Sequence, residues 1–167
     1  MLGFTLFALA VICTVLNLMY KNEWSGSKVA ETFLGYFFLF SMGIMGLLAA
    51  YAHVFMGPEI AALIGWQAGS PFQFEIGMAN LSYGVLGILA FWIRGRFWDA
   101  CVIGWSVLFL GCFIGHLNEY YVNHDSAPYN IGPYIWFTDL LLPLLVLSTL
   151  AYLRSRPPKR FVSEHLL

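Results

Sequence analysis

Residues 32–56, TFLGYFFLFSMGIMGLLAAYAHVFM, decide the fold. The stretch contains no Lys, Arg, Asp or Glu, and it exceeds the roughly 20 apolar residues needed to cross about 30 Å of hydrocarbon. Four further stretches meet the same test: Leu2 to Tyr20, Phe74 to Ile93, Ala100 to about Tyr121, and Tyr134 to Leu153. Between the second and third, Gly57 to Gln73 carries the turn formers Gly57-Pro58 and Gly69-Ser70-Pro71. Within it, Ile60 to Trp66 is apolar but too short to span, and reads as an interfacial half-helix anchored by Trp66. Asn123 to Pro133 reads as a loop whose Asp, Ser, Pro, Asn and Gly residues break any helical pattern.

Composition agrees. Of the 167 residues, 60% are hydrophobic, 18% aromatic and only 10% charged, whereas a soluble domain carries about a quarter charged residues. A domain of this size cannot hide so much apolar surface from water, so lipid must solvate most of it. A net charge of −1 and the lack of a basic patch outside short loops and the tail exclude nucleic acid as a partner. Cys13, Cys101 and Cys112 lie inside apolar runs, without CxxC spacing. They read as small packing residues, the alternative being a redox or metal role.

Orientation follows from the cations. Lys21 and Lys28 follow span one, Arg94 and Arg96 follow span three, and Arg154, Arg156, Lys159 and Arg160 follow span five. All eight Lys and Arg therefore lie on one side. Positive charge stays in the cytoplasm, which places the N-terminus outside and the C-terminus inside. No Lys or Arg precedes the first apolar run and no clear A-x-A site follows it, so span one reads as an uncleaved helix rather than a signal peptide. The expected architecture is an all-α polytopic bundle of five spans. Residues 1–20 form the first helix, 21–156 a four-span core and 157–167 a cytoplasmic tail. The multi-pass pattern points to the cell membrane.

Small residues recur at helical spacing: Gly43, Gly46 and Ala50 in span two, Gly77, Gly84 and Gly87 in span three, and Gly104, Gly111, Gly115 and Asn118 in span four. Such stripes predict dry, close helix seams. In span five, Pro143 cannot donate to the carbonyl of Asp139, which predicts a kink.

Ionisable residues inside spans are expensive and mark function by default. With the orientation above, His53, Glu75, His116, Glu119 and Asp139 all fall toward the outer ends of their spans, Asp139 about 9 Å below the boundary at 1.5 Å per residue. With Asn80 they make the candidate polar cluster. Three accounts compete: a structural hydrogen-bonded network, an outward-facing pocket with His53 or His116 as acid or base, and a metal site built from His53, Glu75 and His116. A metal ion is the cofactor such a site would take. P-loop, G-x-G-x-x-G, H-E-x-x-H and G-x-S-x-G motifs are missing from the sequence. His116-x-x-Glu119 reverses the Glu-x-x-His order of di-iron bundles.

The stretch from Ala52-His53 through Ile64-Gly65-Trp66, Ser70 to Glu75 and Ala79-Asn80-Leu81, to Gly115-His116 and Asp139, resembles a family of small prokaryotic membrane proteins of unassigned function. That resemblance covers roughly residues 32–153 and implies a prokaryotic inner membrane as the location. More distantly, Leu63-Ile64-Gly65 followed by Glu75, Gly84-x-x-Gly87 and a basic turn resembles DoxX-like four-helix membrane proteins. Some of those are linked to quinone and thiosulfate oxidation, so the resemblance implies a quinone as the cofactor, and span one would be an addition to that core.

Two functions are therefore expected of the chain. The first is an accessory or partner-binding subunit of a membrane assembly, in contact with lipid and forming a homo-oligomer or joining other membrane subunits. The second is a small membrane enzyme or ligand-binding protein using the polar cluster. The orientation is checked by reporter fusions in cells. A C-terminal fluorescent protein should fold and fluoresce in the cytoplasm, and an N-terminal peptide tag should be protease-accessible from outside. The reverse pattern would overturn the topology.

Overall fold

The computed structural model describes residues 2–156, and the expected cytoplasmic tail lies outside the described residues. Among these residues there is no strand. Six helices follow one another: α1 (Leu2–Lys21), α2 (Gly26–Phe55), α3 (Gly57–Ile64), α4 (Phe72–Trp92), α5 (Arg96–Asn123) and α6 (Pro128–Ser155). All except α3 are long and apolar enough to cross a membrane. The five expected spans are therefore present, with α2 starting before the Lys28 turn and α5 extending past Tyr121. The half-helix is α3, beginning at Gly57.

Local chemistry sets the boundaries. Gly95, at φ +76°, makes the tight turn between α4 and α5, a left-handed conformation that glycine enters without a Cβ penalty. Pro128 opens α6, where a missing N–H costs nothing because that donor has no helical partner. The expected loop is thus shorter than the sequence suggested: Pro128–Ile131 already forms a helical turn.

The chain ends of α1, α4 and α6 meet the starts of α2 and α5 at one end of the bundle, and the cations among the described residues gather there, Lys28, Arg94, Arg96 and Arg154 with acidic partners. Arg94 bonds Glu31 at 2.6 Å, and Arg154 bonds both Asp99 and the Gly95 carbonyl at 2.7 Å. These exposed pairs add about 0–1 kcal/mol each. They align α2 with α4 and α5 with α6.

The half of the bundle next to this basic end is solid. Leu34 and Phe37 of α2, Ala90 of α4, Cys101 and Val102 of α5, and Val146 of α6 are buried together. The Trp98 indole N–H donates to the Ala90 carbonyl at 2.7 Å, closing the α4–α5 hairpin. α1 lies against α2 through buried Leu6, Ala10 and Leu18, and Phe4 and Phe7 reach the Phe137 ring of α6.

The Gly stripes of α2 and α4 pack as expected. A Cβ on Gly84 would lie 2.8 Å from the Leu47 amide nitrogen, and one on Gly46 would lie 2.8 Å from the Gly84 Cα. The α5 stripe does not. A Cβ on Gly104 would stand 3.0 Å from the Tyr83 hydroxyl, but at Gly111 and Gly115 it would meet nothing within 4 Å. Asn118 is exposed. The expected dry seam on span four is therefore corrected: because α4 is drawn against α2, it leaves α5 beyond the Tyr83–Gly104 contact, and the glycines there face open space.

Two π-helical turns interrupt the spans, Phe38–Ile44 in α2 and Trp136–Leu141 in α6. The second directly precedes Pro143, so the interruption expected there takes the form of a widened turn. π turns rotate side chains out of helical register and are frequent at functional sites.

Gly84→Ala should destabilise the bundle by about 1–3 kcal/mol through overpacking. Gly111→Ala should be neutral or stabilising, because the better helix former, by about 1 kcal/mol, enters empty space. Thermal unfolding of the two variants in detergent distinguishes them.

Candidate functional site: a cavity between α2, α4, α5 and α6

Where α4 and α5 part, the bundle encloses a cavity of about 690 Å³. Its floor is the top of the solid core, with Met42, Trp105 and Leu142 belonging to both. Its walls are mostly apolar, Met45, Ile76 and Phe109 among them, and α3 contributes Leu63 and Ile64 at the far end. Into this apolar space the spans bring His53, Asn80, His116 and Asp139, together with Ser41 and Thr138.

Four of the six residues expected to form the polar cluster thus meet one cavity. The other two do not line it. Glu75 is exposed on the outside of α4, and Glu119 accepts a 2.6 Å hydrogen bond from the Asn123 amide. Their helical phase explains this. Asn80 shares the buried face of Gly77 and Gly84, while Glu75 lies off that face. Among the described residues no group of three His, Cys, Asp or Glu side chains is placed to hold a metal ion, so His53, Glu75 and His116 are not gathered as a ligand set.

His116, buried near the top of α5, is held on three sides. Its Nδ1 lies 2.7 Å from Asn130 Oδ1, its ring stacks on Trp66 at 6.0 Å with an 11° tilt, and its Nε2 faces Asp139 Oδ2 at 3.8 Å. Asn130 is fully buried, and its amide nitrogen donates to the Asp125 carbonyl at 2.8 Å and the His116 carbonyl at 3.4 Å. With its N–H groups so committed, Asn130 presents only oxygen to the imidazole. His116 Nδ1 therefore carries a proton, and Nε2 is the nitrogen left for the cavity.

Asp139, on the π turn of α6, is buried as well. Its Oδ1 meets the Thr138 hydroxyl at 2.5 Å, while that hydroxyl also lies 3.0 Å from the Tyr134 carbonyl. One hydroxyl proton cannot serve both acceptors.

His53 repeats the arrangement of His116. Its Nδ1 lies 2.6 Å from Gln73 Oε1 and its Nε2 has no hydrogen-bond partner among the described residues. Ser41, on the π turn of α2, also lines the cavity, but its Oγ is buried away from it without a partner. Asn80 donates to the Ile76 carbonyl, which leaves its own Oδ1 unengaged.

Asn130, Gln73 and Ser41 escaped the sequence reading. Asn130 sits in a segment rich in turn formers, and nothing local marks a turn residue that folds back onto an imidazole. Trp66 was legible only as an interfacial anchor. Its stacking on His116 depends on Gly65, which ends α3 at φ +96° and packs directly under the Asp125 carboxylate.

A multi-pass helical membrane protein with a mostly apolar cavity between its spans, into which a few polar groups converge, is the class these features define. The chain belongs to a family of unknown function (DUF6790), matched over residues 1–159. Neither the curated proteins nor the solved structures contain a match to it.

Asn130→Ala should cost about 1–3 kcal/mol, the range for leaving buried polar partners unmade. Nitrogen NMR of histidine-labelled protein checks the cause. His116 should show a protonated Nδ1 in the wild type and lose that fixed tautomer in the variant.

Proposed function

We propose that this protein binds a lipid-soluble small molecule with a polar head group, admitting it from the bilayer between α4 and α5. The cavity carries the reading. Ligand sites are concave and mostly apolar with a few convergent polar groups, and span about 300–1,000 Å³; this one combines such a volume with Ser41, Asn80, His116 and Asp139.

The route of entry rests on α5. Gly111 and Gly115 are exposed, line the cavity and leave room where side chains would otherwise fill the gap to α4. With the orientation read from the cations, the cavity belongs to the outer half of a prokaryotic cell membrane. A quinone, which the DoxX-like resemblance implies, is one molecule of this type. Chemistry on the ligand would fall to His116 or His53, whose Nε2 atoms are the available acid–base groups.

The second reading, an accessory subunit in a homo-oligomer or a larger assembly, draws on the apolar side chains exposed along the spans, such as Leu16, Val107, Ile114 and Leu144. Lipid contact accounts for the same surface.

A Cβ on Gly111 meets nothing within 4 Å, so Gly111→Phe directs a ring into the gap from open space. Mass spectrometry of extracts from purified protein should find a discrete apolar molecule enriched over bulk phospholipid in the wild type and depleted several-fold in the variant. Equal content in both would count against lateral entry into the cavity. Recovery of a stoichiometric complex with other chains, and no enriched small molecule, would favour the accessory reading.

A further inference from the structure

We infer that the head group held between His116 and Asp139 is a hydroxyl, so that the ligand is an alcohol or phenol on an apolar body. This rests on the binding role proposed above and specifies its chemistry.

Two atoms define the subsite. With Nδ1 protonated toward Asn130, a neutral His116 turns a lone pair at Nε2 toward Asp139 Oδ2, 3.8 Å away. That separation is beyond a direct hydrogen bond. Two acceptors facing one another in an apolar cavity require a proton on one of them or a donor between them. The pair together with one proton is either imidazole with carboxylic acid or imidazolium with carboxylate. Both forms are neutral overall, and both present one donor and one acceptor side by side.

An oxygen placed about 2.8 Å from each atom completes the pair. It must accept one hydrogen bond and donate one. A hydroxyl does both through a single atom. A carbonyl or ether oxygen has no proton to donate, and an ammonium group has no lone pair to accept. A carboxylate or phosphate would bring an uncompensated charge into the apolar cavity, which is costly to bury. Asp139 Oδ1 is already engaged by Thr138, so only Oδ2 is free for the ligand. Trp66 covers one face of the imidazole, and Met42, Met45 and Phe109 provide the apolar surface for the rest of the molecule.

The test uses the purified chain in lipid nanodiscs and three bromine-labelled probes: a long-chain 4-alkylphenol, its methyl ether and the matching 4-alkylbenzoate. Bromine quenches the fluorescence of Trp66 and Trp105, which both line the cavity. The phenol should bind at least ten-fold more tightly than either of the others. Asp139→Leu should reduce phenol binding to the level of the ether, while Asp139→Asn, a neutral group that still donates and accepts, should preserve much of the preference. Gly111→Phe should weaken phenol and ether alike. Equal binding of phenol and ether to the wild type, or a phenol preference that survives Asp139→Leu, would overturn the hydroxyl assignment and leave the cavity reading standing. If no probe binds the wild type, the cavity reading falls and this inference with it, whereas a Gly111→Phe variant that affects none of them overturns lateral entry alone.

Discussion

Lipid gives two helices no hydrophobic reason to associate, so a bundle in a membrane is held by how closely its backbones can approach. Here that approach is concentrated at one crossing. Gly43 and Gly46 of α2 meet Gly84 and Gly87 of α4 so tightly that a single Cβ would strike backbone atoms of the opposite helix. The rest of the arrangement depends on this crossing. α4 is tied to α5 by the Gly95 turn and the Trp98–Ala90 hydrogen bond, yet drawn to α2 along its length. It cannot follow both neighbours, and it parts from α5 beyond Tyr83 and Gly104.

The bundle is therefore solid in one half and hollow in the other. The solid half carries the aromatic and aliphatic core and, at its rim, the Glu31–Arg94 and Asp99–Arg154 pairs. The hollow half carries the costly polar side chains. Nearly every hydrogen-bonding group of Asn130 is spent on fixing the end of α5 to the start of α6 and on setting the His116 ring. What remains unspent, His116 Nε2 and one Asp139 oxygen, faces the cavity.

Much of the fold was legible in sequence because the physical rule behind it is one-dimensional. A run such as residues 32–56 declares its span by length and apolarity. The glycines of α2 and α4 announced their seam by spacing alone. The same rule misled for α5, where identical spacing borders open space. Spacing reports which residues share a face and says nothing of what that face meets. The candidate site was half legible for the same reason. His53, Asn80, His116 and Asp139 were recognisable as expensive residues in spans, but Glu75 and Glu119 lie at similar depths and point elsewhere.

By itself, then, the sequence determined the number of spans, the gathering of the cations at one end and the shared depth of the ionisable residues, since each depends on position along an axis. Tertiary structure alone decided which polar groups converge, through two π turns that rotate Ser41, Thr138 and Asp139 and through the return of Asn130 onto His116. It also decided that the space between α4 and α5 stays open. Those outcomes turn on rotation about helix axes and on competition between neighbours for contact, and neither is written in any single segment.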